Sequence, residues 1–129
     1  MFNLILRDGA PENAGHYEGV ETANTSLKVG QAVHIANGKA VLATGDSPIY
    51  GIVAGAVAGG IVTVLKVTPD MVFKVRTTAA PAVMGAKVTL NATADAVTAT
   101  APASGKFGAT VVDTLDGKAA GDFIEVRFE

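Results

Sequence analysis

From Leu27 onward the apolar residues fall into short runs that alternate in the manner of half-buried strands. AVHIA (32–36) is followed by Asn37-Gly38, a favoured two-residue hairpin turn, and then by KAVLA (39–43). A turn cluster, Gly45-Asp46-Ser47-Pro48, separates these from IYGIVAG. Gly59-Gly60 then precedes IVTVLKV, in which Ile61, Thr63 and Leu65 face one way and Val62 and Val64 the other. Thr68-Pro69-Asp70 breaks the chain before MVFKVR, and no window carries the caps and period of an amphipathic helix. Near the start, FNLIL places Phe2, Leu4 and Leu6 on one side of a first strand. Arg7 to Ser26 shows no apolar period and sets four acids against one Arg, which predicts an extended arm. The pattern predicts an all-β chain.

One stretch resists that reading. PIYGIVAGAVAGGIVTVLKV (48–67) has no charge before Lys66, and its glycines at 51, 55 and 59 have the spacing that packs membrane helices. An internal repeat resolves it. VGQAVHI (29–35) returns as MGAKVTL (84–90), KAVLAT (39–44) as DAVTAT (95–100), IYGIV (49–53) as KFGATVV (106–112) and GGIVTV (59–64) as GDFIEV (121–126). The counterpart of the uncharged run therefore contains Asp113, Asp116, Lys118, Asp122 and Glu125. Each such charge costs about 2.5–3.5 kcal/mol at a bilayer centre, so a shared structure excludes a membrane helix for both copies. The repeat predicts a compact β-sandwich or barrel of two related β-modules with an extended N-terminal arm. Residues 1–28 are the expected strand and arm, and 29–129 the β domain, with copies at 29–67 and 84–129 joined by a linker at 68–83.

Composition adds to this picture. The apolar share is 49%, with no Trp, two Tyr and five Phe, and much of it is Ala and Val. A core of small side chains contributes little per residue, so subunit contacts are an expected supplement. The net charge of −2 and the lack of any basic run or basic-aromatic patch argue against nucleic acid as a partner. Cysteine is absent, which removes disulfides and thiolate chemistry. MFNLILRDGAP lacks the basic and long apolar segments of a secretory signal.

Candidate chemistry is sparse. His34 alternates with Val33 and Ile35 in a predicted strand and reads as a surface or interface residue. His16 stands near Glu12 and Glu18, short of the three or four convergent ligands that a transition metal takes. Ser47 lacks a strand-to-helix elbow and reads as a turn residue before Pro48. No phosphate-binding glycine motif is present. Lys66, flanked by apolar residues in VLKVT, loosely matches the modified lysine of a biotinyl or lipoyl carrier, but without the flanking methionines an outward strand lysine is the better reading. The expectation is a protein that is not an enzyme and holds no metal or cofactor.

VGQAVHI, NGKAVLATGD, PIYGIVAG and GGIVTV, in that order, resemble the texture of bacteriophage head decoration proteins, also called capsid cement proteins, over roughly Leu27 to Glu129. The resemblance implies a small β-protein, commonly a homotrimer, made in the host cytoplasm and bound to the outer surface of the virion. There it would clamp neighbouring subunits of the major capsid protein, with neither nucleic acid nor membrane as a partner. Alternatives are another β-type virion component, such as a head fibre base or tail accessory, or a cellular binding or carrier module. The expected contact residues are Phe2, Leu4 and Leu6 on the first strand, Tyr17 in the arm, and Gly55, Val57 and Gly59 in the bare loop. Phe2–Leu6 either joins its own sheet or adds to a neighbour's, and the loop either packs on its own sheet or meets a partner.

Overall fold

The computed structural model describes residues 1–7, 16–45, 47–80, 83–115 and 119–128, with only the backbone of Ile5, Leu6 and Arg7. Among these residues there is no helix; eleven strands form two sheets. The first sheet contains β2 (Tyr17–Glu21), β3 (Ala32–Ala36), β4 (Lys39–Leu42), β5 (Gly51–Val53) and β6 (Ile61–Lys66), in the order β2-β6-β5-β3-β4. The second contains β1 (Asn3–Arg7), β7 (Met71–Thr77), β8 (Lys87–Val88), β9 (Ala96–Val97), β10 (Ala109–Asp113) and β11 (Phe123–Phe128), in the order β1-β7-β11-β10-β8. All pairings are antiparallel except that of β9 with β7. The two sheets pack together as a compact β-sandwich.

The sheets run the same course. Leaving β1 aside, β2-β6-β5-β3 in one matches β7-β11-β10-β8 in the other, and β4 pairs with β3 much as β9 meets Leu90 just past β8. Thr98 N–H donates to Thr89 O at 2.8 Å and Asn91 N–H to Ala96 O at 3.0 Å, while β9 also pairs with β7. The second sheet therefore closes on itself, which removes one pair of edges. In the first sheet the hydroxyl of Thr22, just past β2, donates to Ala40 O of β4 at 2.8 Å across the gap between its outer strands.

Two strands lie within segments expected to serve as arm and linker. β2 falls inside the predicted arm because its single aliphatic side chain, Val20, gives too weak a period to read. Its stability comes from five paired positions along β6, from Tyr17 opposite Leu65 to Glu21 opposite Ile61. β7 falls inside the expected linker at 68–83, yet it is the most enclosed long strand, with Met71, Phe73, Val75 and Thr77 turned inward and β11 and β1 on either side. Residues 8–15 of the predicted arm lie outside the described residues.

The core is in two parts. The larger brings Ile52 and Leu65 of the first sheet against Phe73, Val75, Val88, Val97, Val111, Ile124 and Val126 of the second. The smaller lies on the opposite face of the first sheet, where Val33, Ala40, Val53, Val62 and Val64 pack with Leu27. Adjacent residues thus enter opposite cores: Ile52 and Val53, and likewise Leu65 and Val64. This explains the lack of charge in β5 and at Val62, Val64 and Leu65 of β6, whereas the loop between the two strands is largely exposed. A strand covered on both faces reads as continuous apolar sequence. The uncharged run at 48–65 is two strands and a loop, and no helix among the described residues is long and apolar enough to cross a membrane.

Candidate partner interface

The seven expected contact residues do not form one surface. Phe2 is 3% exposed and belongs to its own core. Its ring stands edge-on to Phe73, centroids 6.3 Å apart, and tilted against Phe128 at 5.1 Å. Its N–H donates to Gly30 O at 2.9 Å. β1 pairs with β7 of the same chain, with Leu4 opposite Phe73 and Leu6 opposite Val72. Leu4 is half-buried against the core, and the Leu6 side chain lies outside the described residues. Of the two readings of FNLIL, this structure shows the strand within its own sheet. Burying Phe2 beside two aromatic partners makes that the natural site, since each such pair adds about 0.5–1.5 kcal/mol beyond area burial.

Tyr17 is 51% exposed and, with Leu4, Val29, Ala54 and Leu65, lines an open groove of about 310 Å3 beside β1. The bare loop at 54–60 is only partly what the sequence implied. Ala54, Ala56 and Ala58 point outward, while Val57 is half-buried against the smaller core. Val57 is therefore a packing residue, because the alternation carries it inward. At Gly55 an added Cβ would meet Thr63 Cβ at 3.5 Å, an ordinary contact, so no close approach requires glycine there. Gly59 and Gly60 have φ of +59° and +76° and close a two-residue turn in which Ala58 and Ile61 exchange hydrogen bonds of 2.9 and 3.1 Å.

The chemistry-bearing side chains are dispersed. His16 Nε2 lies 3.3 Å from Glu18 Oε2. His34 borders a shallow depression with Ile35, Pro48, Ile49 and Tyr50, its Nδ1 buried without a hydrogen-bond partner among the described residues. Ser47 Oγ accepts from Thr44 N–H at 3.0 Å and donates to Thr44 O at 3.2 Å, which makes it a turn residue. Lys66 is exposed at the end of β6, its Nζ 5.9 Å from the Tyr50 ring. Among the described residues no three His, Cys, Asp or Glu side chains converge as metal ligands.

Two features escaped the sequence reading. The first is a pair of equivalent turns. Gln31 N–H donates to Lys28 O at 3.2 Å around Val29-Gly30, and Ala86 N–H to Val83 O at 3.1 Å around Met84-Gly85. Gly30 and Gly85 have φ of +90° and +87°, as a type II turn requires at its third position. Each glycine N–H then donates into its own sheet, Gly30 to Val53 O at 2.8 Å and Gly85 to Val111 O at 2.7 Å. The residue ahead of each glycine is left projecting: Val29 is 48% exposed and Met84 73%. The repeat VGQ and MGA was the available signal, but the exposure of its first residue was not.

The second is a cationic face with an aromatic centre on the second sheet. Lys74 Nζ and Arg76 Cζ lie 5.0 and 4.3 Å from the centroid of the Phe123 ring. The expectation that the chain has no basic-aromatic patch fails here. Both cations stand on β7 and the ring on β11, so only the pairing of two strands distant in sequence brings cation and ring together.

The chain matches no protein-family model, and no curated protein matches it.

Proposed function

We propose that this chain is a structural virion protein that binds the outer surface of a phage capsid and stabilises it by clamping neighbouring major capsid subunits. The observation that carries the reading is the duplicated turn. A clamp needs equivalent contact points on two neighbours, and Val29 and Met84 project from the same position of two modules with the same strand course. Exposed apolar residues on rigid turns anchor an interface at little cost in ordering. Two modest contacts then give retention well beyond either alone. The resemblance of the β-elements to head decoration proteins supports the same reading, as does the excess of small residues, which leaves subunit contacts to add stability. Assembly as a homotrimer on the shell is part of the proposal.

The test is co-sedimentation with expanded capsid shells assembled from the major capsid protein encoded in the same genome. The full chain is expected in the pellet with the shells. Val29→Asp and Met84→Asp each weaken retention, and the double variant abolishes it while melting like the parent. Absence of the parent chain from the shell pellet overturns the reading.

A further inference from the structure

The outward face of the second sheet concentrates cations. Inward positions on its strands are Phe73 and Val75 of β7, Ile124 and Val126 of β11, Val111 of β10 and Val88 of β8. The alternate residues therefore share the other face: Lys74 and Arg76, then Phe123, Glu125 and Arg127, then Thr110, then Lys87. Register brings them together. Arg127 and Lys87 both stand opposite Thr110, whose hydroxyl accepts from Lys87 Nζ at 2.8 Å. Lys74 stands opposite Glu125, and Arg76 opposite Phe123. Arg76 is further fixed by donating from Nη1 to Gly121 O at 2.6 Å. Four cations thus share this face with Glu125 and its cross-strand neighbour Asp113, in a chain whose formal charge is −2. The remainder of the molecule carries the excess acid. The turn bearing Met84 borders this face at β8, since Gly85 and Ala86 exchange hydrogen bonds with Val111 beside it.

We infer that this face is a docking surface for a carboxylate-bearing surface of another protein, and, resting on the reading above, that this protein is the major capsid protein. Charge complementarity selects the partner. The two carboxylates among the cations would repel the continuous phosphates of a nucleic acid, whereas a protein surface of mixed sign can match acid to Lys74, Arg76, Lys87 and Arg127 and base to Glu125. The Phe123 ring, held between Lys74 and Arg76, keeps both cations on the sheet and limits the side-chain freedom lost on docking.

The experiment measures binding of the full chain to the capsid shells, to immobilised poly-L-glutamate and to an immobilised single-stranded oligodeoxynucleotide. Salt is raised through the range where the Debye length falls from about 30 to about 8 Å. The variants are Arg76→Gln/Lys87→Gln and, because Arg76 also fastens Gly121, Lys74→Gln/Lys87→Gln. Both are checked by thermal melting. The parent is expected to bind shells and poly-L-glutamate more weakly as salt rises. Folded variants are expected to bind each at least tenfold more weakly. Shell binding that is equal in parent and folded variants overturns the inference while leaving the capsid reading in place. Stronger retention on the oligodeoxynucleotide than on poly-L-glutamate overturns it in favour of nucleic acid. If the parent binds no shells, the capsid reading fails. Poly-L-glutamate then decides the face alone: retention lost in the variants supports a carboxylate-docking surface, and no retention of the parent overturns it.

Discussion

The ring of Phe2 lies 5.1 Å from that of Phe128, so a residue at the start of the chain and one at the end of the last strand fill the same core. Phe73 completes the cluster, 5.4 Å from Phe128. The contact fixes β1 at the side of β7 and determines what removing it does.

Phe2→Ala is expected to destabilise the isolated chain by about 3–5 kcal/mol, the usual cost of truncating a buried aromatic. Deleting residues 2–26, which removes both β1 and β2, should lower the melting temperature further or abolish folding. Denaturant titration of the isolated chain measures both. A deletion variant that melts like the parent would show that β1 contributes nothing to its own sheet.

Val57→Glu acts on the fold before it acts on any partner. Val57 packs against the smaller core, so the variant should lose about 1–3 kcal/mol of stability as an isolated chain. Ala56→Glu, one residue earlier and pointing outward, should leave the midpoint unchanged. Urea midpoints compare the two.

The glycines at 51 and 108 are required by space. An added Cβ would lie 2.6 Å from Leu65 O at position 51, and 2.8 Å from Val88 O at position 108. Gly51→Ala and Gly108→Ala should each cost about 1–3 kcal/mol through forced backbone shifts. Gly55→Ala, with its nearest neighbour at 3.5 Å, should change stability little. Melting curves of the three variants check the ranking.

Glu125 gives the fold a pH dependence of definite sign. Burial raises its pKa, and the Asp113 carboxylate across the strand pair raises it further, against the opposing pull of Lys74. A carboxyl with a raised folded pKa binds its proton more tightly in the folded state. Stability therefore falls as pH rises from the ordinary glutamate value through the raised one, and the penalty is complete above that window. Glu125→Gln should be more stable than the parent at neutral pH by a few tenths to about 1 kcal/mol, the scale of cross-strand charge pairs. The difference should vanish below about pH 4, where the unfolded glutamate is protonated as well. Urea unfolding of both proteins across this range measures it.

What the sequence settles here is local. Alternation in IVTVLKV, the Asn37-Gly38 hairpin and the glycine-marked turns specify an all-β chain, because strand period and turn geometry depend on neighbouring residues alone. The turn role of Ser47 was legible for the same reason. Pairing is not local. YEGVE becomes a strand because β6 offers it five partners, and Phe2–Leu6 finds β7 roughly seventy residues away. Within the bare stretch 48–65, the burial of Ile52, Val53, Val62, Val64 and Leu65 is visible only once both faces of the first sheet are seen to carry a core. The cationic face is the furthest from view. Lys74, Arg76, Lys87 and Arg127 share a surface only because antiparallel register sets β7 beside β11, and β8 across β10 from it, with the same parity. A strand's own residues fix which side chains lie together on one of its faces, but only the packed sheets decide which face meets the core and which meets water.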